Sequence, residues 1–76
     1  MREDILAEMK KREEKMREVR RRSADWEFIR KQPLRLRIAL EYLVEDGDLH
    51  VASRIAGLKL EEMNELRIKA NIPLTS

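Results

Sequence analysis

The most constraining feature of this sequence is where its helix-breaking residues fall. Glycine and proline occupy only four positions in 76, namely Pro33, Gly47, Gly57 and Pro73. Residues 2–31 contain neither, and consist mostly of Glu, Lys, Arg, Met, Leu and Ala, which are good helix formers. No segment alternates apolar and polar residues with period two, so we predict no strand. The chain is therefore predicted to be all-α, with a long N-terminal helix.

The segment after Pro33 is predicted to form three shorter helices. Pro33 fits the first turn of a helix, because its missing N–H would have no partner there. Gly47 and Gly57 supply the left-handed residues that commonly end helices, and Asp48 is a good N-cap between them. The last helix is predicted over about residues 60–70.

Charge divides the chain at the same place. Residues 1–32 hold 11 basic and 8 acidic residues, whereas residues 33–76 hold 6 and 7. We therefore predict a long charged helix over 1–32, serving dimerisation or partner binding, and a compact helix-turn-helix-like unit over 33–76. Ser23 to Asp25 is the one stretch where the first helix could end and a new one begin, near Trp26.

Several classes of chemistry are excluded by the residues present. The chain has no Cys, which excludes disulfides, thiolate zinc sites and cysteine nucleophiles. His50 and Ser53 have no third catalytic group near them, and neither glycine belongs to a phosphate-binding loop. No apolar run approaches the ~20 residues of a membrane span. We expect a cytoplasmic protein that is not an enzyme and has no metal, cofactor, small-molecule substrate or membrane contact.

A helix-turn-helix pattern stands in the second half of the chain. Two helices that cross through a short turn need small residues where their backbones approach, and Ala52 and Ala56 meet that need. Gly57 tolerates the positive φ of the turn, and Met63 and Leu66 follow it by six and nine positions on the inner face of the next helix. A helical hairpin that only builds a core is the alternative.

A longer pattern carries a resemblance to a known family. It comprises Ala39-Leu40-Glu41-Tyr42-Leu43, Gly47-Asp48-Leu49, Ala52-Ser53-Arg54-Ile55-Ala56-Gly57-Leu58, Glu61-Glu62-Met63, Leu66 and Ala70-Asn71-Ile72-Pro73. With this pattern, residues 36–74 resemble small prokaryotic helix-turn-helix proteins regarded as antitoxins, similar to those encoded beside PIN-domain ribonuclease toxins. The resemblance implies DNA binding and neutralisation of a toxin protein.

Seven residues are candidates for nucleic-acid contact. They are Arg17, Arg20, Arg21, Arg22, Lys59, Asn64 and Arg67. The first four form the least compensated basic cluster of the N-terminal helix, and such clusters attract phosphates. The other three lie in or beside the second helix of the motif, where basic and amide groups read bases. Three glutamates near the start of that helix oppose a polyanion. A solvated, salt-bridged helix surface is the alternative interpretation of the basic cluster.

A second candidate site is an apolar seam along the N-terminal helix. Its members are Ile5, Met9, Met16, Val19 and Trp26. Their spacing follows the alternating fours and threes of a coiled coil, interrupted by Arg12 and Ser23. A helix of about 30 residues would extend ~45 Å, more than the rest of the chain can cover. We therefore expect this seam to meet another subunit, as a homodimer, or another protein.

These observations favour a small DNA-binding regulator of antitoxin type, dimeric and without enzymatic activity. The alternative is a protein–protein interaction module that dimerises or binds a partner through the N-terminal helix, without binding DNA. The acidic last helix favours that alternative, whereas the Ala-Gly-Leu turn and the basic cluster favour DNA binding.

Overall fold

The computed structural model describes residues 2–74, and over that range the chain forms five α-helices and no strand. The helices are α1 (Arg2–Ser23), α2 (Trp26–Lys31), α3 (Leu34–Asp46), α4 (Leu49–Ala56) and α5 (Leu60–Lys69). The prediction of an all-α fold, with a long N-terminal helix followed by shorter ones, is confirmed. The predicted regions 1–32 and 33–76 also include Met1, Thr75 and Ser76, which lie outside the described residues.

The N-terminal helix is shorter than the 30 or so residues expected from its composition. It ends at Ser23, and Asp25 caps α2 by accepting a hydrogen bond from the backbone N–H of Phe28 at 3.0 Å. The C-terminal end of α5 holds this break in place. The backbone N–H of Asp25 donates to the carbonyl of Ala70 at 2.8 Å, and Nδ2 of Asn71 donates to the carbonyl of Ser23 at 2.8 Å. Both contacts join residues more than forty positions apart, so local composition did not reveal them.

The core is arranged around α3, which α1, α2 and α4 all contact. α3 contributes Ala39, Leu40, Leu43 and Val44, all with no exposed surface. The other fully buried apolar residues are Ile29, Ala52, Met63 and Ala70, and Ile72 is almost so. Burial of apolar surface of this kind is the main favourable contribution to folding. The core is therefore made by α2 to α5 and the chain that follows α5, with Ala24 the sole member from the N-terminal side of α2.

The predicted helix ends are found where the helix-breaking residues lie. Gly47 (φ 70°) and Gly57 (φ 68°) adopt the left-handed conformation at the ends of α3 and α4. Asp48 caps α4 by accepting a hydrogen bond from the N–H of Val51 at 3.1 Å. Pro33 is the N-cap of α3, one position before its first helical residue. These features are local, which is why the residue types alone predict them.

Candidate functional site

Two of the arginines predicted to contact nucleic acid bind the C-terminal end of α3. Nε of Arg20 donates to the carbonyl of Val44 at 2.7 Å, and Nη2 of Arg20 donates to the carbonyl of Glu45 at 3.1 Å. Nε of Arg17 donates to the same Glu45 carbonyl at 2.9 Å. The last carbonyls of a helix have no partner within it and carry the negative end of its dipole. Arg17 and Arg20 together form what we term the arginine cap of α3.

Arg20 is the more enclosed residue of the arginine cap, with 9% of its surface exposed. Burial, followed by the nearby charge of Arg17, lowers the pKa of Arg20 from its ordinary value. The guanidinium lies against Gly47, where an added Cβ atom would be 3.0 Å from Cζ and Nη1 of Arg20. Arg20 therefore presents little surface to a phosphate, and its contacts are with the protein backbone.

The other two arginines of the predicted cluster form ion pairs on the surface. Arg21 donates two hydrogen bonds to the carboxylate of Glu45, from Nε to Oε1 at 2.9 Å and from Nη2 to Oε2 at 2.7 Å. The hydrogen bond to Arg21 is the largest cause lowering the pKa of Glu45, and the same bond raises the pKa of Arg21. Arg22 binds Glu18, one helical turn earlier. All four arginines thus have acceptors within the chain.

The turn between α4 and α5 has the three-residue length expected for a helix-turn-helix. It begins at Gly57, and Leu58 is half-buried and donates its N–H to the carbonyl of Ser53 at 3.0 Å. Nε of Arg35, in the first turn of α3, donates to the carbonyl of Ile55 at 2.7 Å. A Cβ atom at Gly57 would lie 3.0 Å from the Arg35 guanidinium. Arg35 was not predicted as a structural residue, because its acceptor lies twenty positions away.

The residues of α5 predicted to read DNA lie in two different settings. Lys59 is an exposed N-cap, and its N–H donates to Oε1 of Glu62 at 3.0 Å. Asn64 and Arg67 are half-buried and bind each other, Nε of Arg67 donating to Oδ1 of Asn64 at 2.9 Å. Nη1 of Arg67 also donates to the carbonyl of Ile72 at 2.9 Å, which holds the chain that leaves α5. Only Lys59 among the three presents an exposed side chain.

The exposed surface at the start of α5 is acidic. Glu61, Glu62 and Glu65 are all exposed. The first two lie in the first turn of α5, where a negative side chain interacts favourably with the positive end of the helix dipole. A phosphate backbone would meet these carboxylates beside Lys59. This surface is the opposite in charge to what a polyanion requires.

Four of the five predicted seam residues share one stripe on α1. At about 100° per residue, Ile5, Met9, Met16 and Val19 fall within about 80° of one another around the helix axis. Three of them are large exposed hydrophobic residues, with exposed fractions of 59% for Ile5, 54% for Met9 and 49% for Val19, whereas Met16 is half-buried. We define these four residues as the apolar stripe.

The apolar stripe begins on a part of α1 that the rest of the described chain, up to residue 74, does not cover. Every residue from 3 to 15 is exposed, including the small residue Ala7. Burial on α1 begins only at Met16, close to the arginine cap. The first half of α1 thus carries exposed apolar side chains, while the second half is attached to α3.

Trp26, the fifth predicted seam residue, does not continue the stripe. It lies in α2, beyond the break at Ser23, and is 36% exposed. Its Nε1 donates to the carbonyl of Arg21 at 2.8 Å, so the indole satisfies an acceptor in the last turn of α1. Its observed contact therefore lies within the chain.

The described part of the chain holds no cluster with metal-binding chemistry. Over residues 2–74, no three His, Cys, Asp or Glu side chains are grouped so that they could hold a metal ion. Within the same residues, none of the helices combines the length and the apolar character needed to cross a bilayer.

No family model matches the chain, and no curated protein or solved structure is significantly similar to it. The resemblance of residues 36–74 to helix-turn-helix antitoxins thus stays a prediction.

Proposed function

We propose that this protein is a non-enzymatic interaction module that forms homodimers through the apolar stripe of α1. The observation that carries this proposal is the exposure of Ile5, Met9 and Val19 on a helix whose residues 3–15 are uncovered by the rest of the chain. Most of the stability of a helix in a protein comes from packing of its apolar face, and a second helix packed along an apolar stripe stabilises both.

The arginine cap supports the same proposal, because it fixes the direction of α1. Arg17 and Arg20 bind the end of α3, whose Leu40 and Leu43 are fully buried. α1 is therefore attached to the core at its C-terminal half, and its N-terminal half is held away from that core. A helix presented in this way suits pairing with another chain.

The experiment is sedimentation equilibrium of the full chain over about 5–500 μM, because dimerisation depends on concentration by mass action. We expect a dimer whose dissociation constant rises by about tenfold or more in the Ile5→Gln variant, which replaces an exposed apolar side chain of the stripe by a polar one without adding charge. The matched control is Ala7→Gln, which places the same side chain on the exposed face opposite the stripe and should leave the dissociation constant nearly unchanged. A monomer at every concentration, or equal effects of the two variants, would contradict the proposal.

A DNA-binding regulator of antitoxin type is the second candidate, favoured by the observed α4–turn–α5 arrangement. Ala52 is fully buried and Ala56 nearly so, as the close approach of two such helices requires, and Gly57 makes the turn. Neutralisation of a toxin protein, implied by the resemblance, belongs to this candidate. The internal contacts of the basic cluster and the acidic start of α5 place it second.

Fluorescence anisotropy with duplex DNA tests the second candidate directly. Binding at about 50 mM salt that weakens as salt rises would support it, because phosphate contacts release counterions. In that case Lys59→Ala should weaken binding more than Lys69→Ala, since Lys59 is at the start of α5 and Lys69 at its end. No binding at about 50 mM salt would exclude it.

A further inference from the structure

We propose that the two copies of α1 pair antiparallel, in a register that places Glu8 of each copy beside Lys15 of the other. This inference rests on the proposed dimer and adds its orientation. The charges that flank the apolar stripe and a groove beside the stripe support this orientation.

The flanking charges follow from the heptad positions. Placing Met9 and Met16 at position a puts Glu8 and Lys15 at position g, on one side of the stripe, and Glu13 at position e on the other. Glu8, Glu13 and Lys15 are all exposed. Charges at e and g decide which orientation of two helices is favoured, because they lie along the edges of the contact.

A parallel pair brings like charges together at each of these positions. Position g of one helix then faces position e of the next heptad, so Glu8 meets Glu13 of the second copy and Lys15 meets Arg20. The seam would also place Arg12 against Arg12. Arg20 is bound to the end of α3 and cannot turn away without breaking those hydrogen bonds. The parallel orientation is therefore opposed by electrostatic repulsion.

An antiparallel pair brings opposite charges together instead. Position g then faces position g. With the twofold axis between Lys10 and Lys11, the position-g residue of the second copy nearest to Glu8 is Lys15, offset by two residues or ~3 Å along the pair. The symmetry creates the same pair a second time. In this register Arg12 faces Met9 of the second copy rather than another arginine, so like charges at the seam are separated.

In the same register, an apolar residue of the second copy lies beside a groove that adjoins the stripe. Arg12, Lys15, Met16 and Val19 line a shallow groove of about 250 Å³. Ile5 of the second copy lies opposite Met16 in this register, at the edge of that groove. The two α1 helices overlap over residues 2–19 in this register, which includes the whole of the uncovered part of α1, residues 3–15. The two compact bodies then lie at opposite ends of the helix pair.

Disulfide trapping tests the orientation, since the chain has no native cysteine. We expect Ile5→Cys mixed with Met16→Cys to form a mixed disulfide dimer under mild oxidation. Ile5→Cys alone should form none, because its two copies would be about 11 residues apart along the pair, or ~16 Å, beyond the ~7 Å reach of a disulfide.

The same samples, examined by sedimentation, separate the two ways of failing. Efficient trapping of Ile5→Cys with itself would overturn the antiparallel orientation while leaving the dimer intact. A monomer at every concentration, with trapping in neither sample, would overturn the proposed dimer itself.

Charge reversal gives a second measurement that does not depend on trapping. Lys15→Glu should raise the dissociation constant about tenfold, since two attractive pairs become repulsive, and Glu8→Lys combined with Lys15→Glu should restore it. Rising salt should weaken the wild-type dimer. In a parallel dimer, Lys15→Glu would instead relieve repulsion with Arg20, so a tighter dimer in that variant would overturn the proposal.

Discussion

The two halves of α1 share one continuous helix but have opposite relations to the rest of the molecule. Residues 3–15 are exposed throughout, whereas residues 16–23 include the buried Arg20 and lie against α3. Both halves are rich in arginine and lysine, so composition does not separate them. What separates them is the presence of an acceptor, the C-terminal end of α3, beside the second half.

A second arginine, Arg35, binds the end of another helix in the same way as Arg20. Arg20 binds the carbonyl of Val44 beside Gly47, and Arg35 binds the carbonyl of Ile55 beside Gly57. In both cases a helix ends at a left-handed glycine, and a guanidinium from another helix occupies the space that a side chain would need. Arginine here secures helix ends across the fold, a role that a charge count does not reveal.

The largest effect on stability is expected from replacing Arg20, the buried residue of the arginine cap. Arg20→Ala should lower the free energy of unfolding by about 2–3 kcal/mol, because the carbonyls of Val44 and Glu45 lose hydrogen bonds from a charged donor. Urea unfolding followed by circular dichroism measures this change.

Arg22→Ala is the matched control for this prediction. Arg22 lies two positions away on the same helix and forms an exposed ion pair with Glu18, one turn earlier. Loss of such a pair should cost no more than about 0.5 kcal/mol. Equal losses in the two variants would show that the two arginines are not different in kind.

A smaller effect is expected at the glycine that faces the cap. Gly47→Ala places a Cβ at φ 70°, a conformation that costs an L-residue about 1–2 kcal/mol. The added Cβ would also lie 3.0 Å from the Arg20 guanidinium. In an Arg20→Ala background that contact is absent, so the cost of Gly47→Ala should fall. A double-mutant cycle in urea measures this coupling, and a coupling of zero would show that the guanidinium moves aside freely.

This contrast explains which parts of the fold the sequence predicts. The helix ends at Gly47 and Gly57 and the N-cap at Asp48 depend on residues within one turn, and their positions are as predicted. The sequence limits the possible end of α1 to the stretch from Ser23 to Asp25 but does not decide whether the helix ends there, because the contact that fixes the end comes from Asn71. Local chemistry is readable in one sequence, whereas a contact across forty-eight positions is not.

The candidate site divides in the same way. The stripe of Ile5, Met9 and Val19 follows from spacing within a single helix, and these three side chains are exposed on α1. The internal partners of Arg20 and Trp26 belong to other helices or depend on the break after α1. A basic cluster in the sequence therefore predicts phosphate contact equally well whether or not the fold supplies acceptors for it, and here the fold supplies them for Arg20.

The smallest effect on stability is expected from the exposed ion pair between Arg21 and Glu45, and this effect depends on pH. The hydrogen bond from Arg21 lowers the pKa of Glu45 below its ordinary value, so this carboxylate stabilises the folded state when ionised. That stability is present above the unfolded-state pKa, about 4.3, and is lost as pH falls through the lower folded-state pKa. The pair is about half exposed, which keeps the contribution small.

Glu45→Gln keeps the shape of the side chain but removes its charge, and should therefore lower stability at pH 7 while flattening the loss of stability on acidification. Thermal unfolding from about pH 7 to pH 3 measures both, since linkage relates this slope to proton uptake on unfolding. Arg21→Gln is the matched variant, because it removes the main cause of the lowered pKa and should also flatten the profile. The double variant should add little to either change. If Arg21→Gln kept the wild-type slope, the lowered pKa of Glu45 would be due mainly to Arg17 and Arg20, the two residues of the arginine cap.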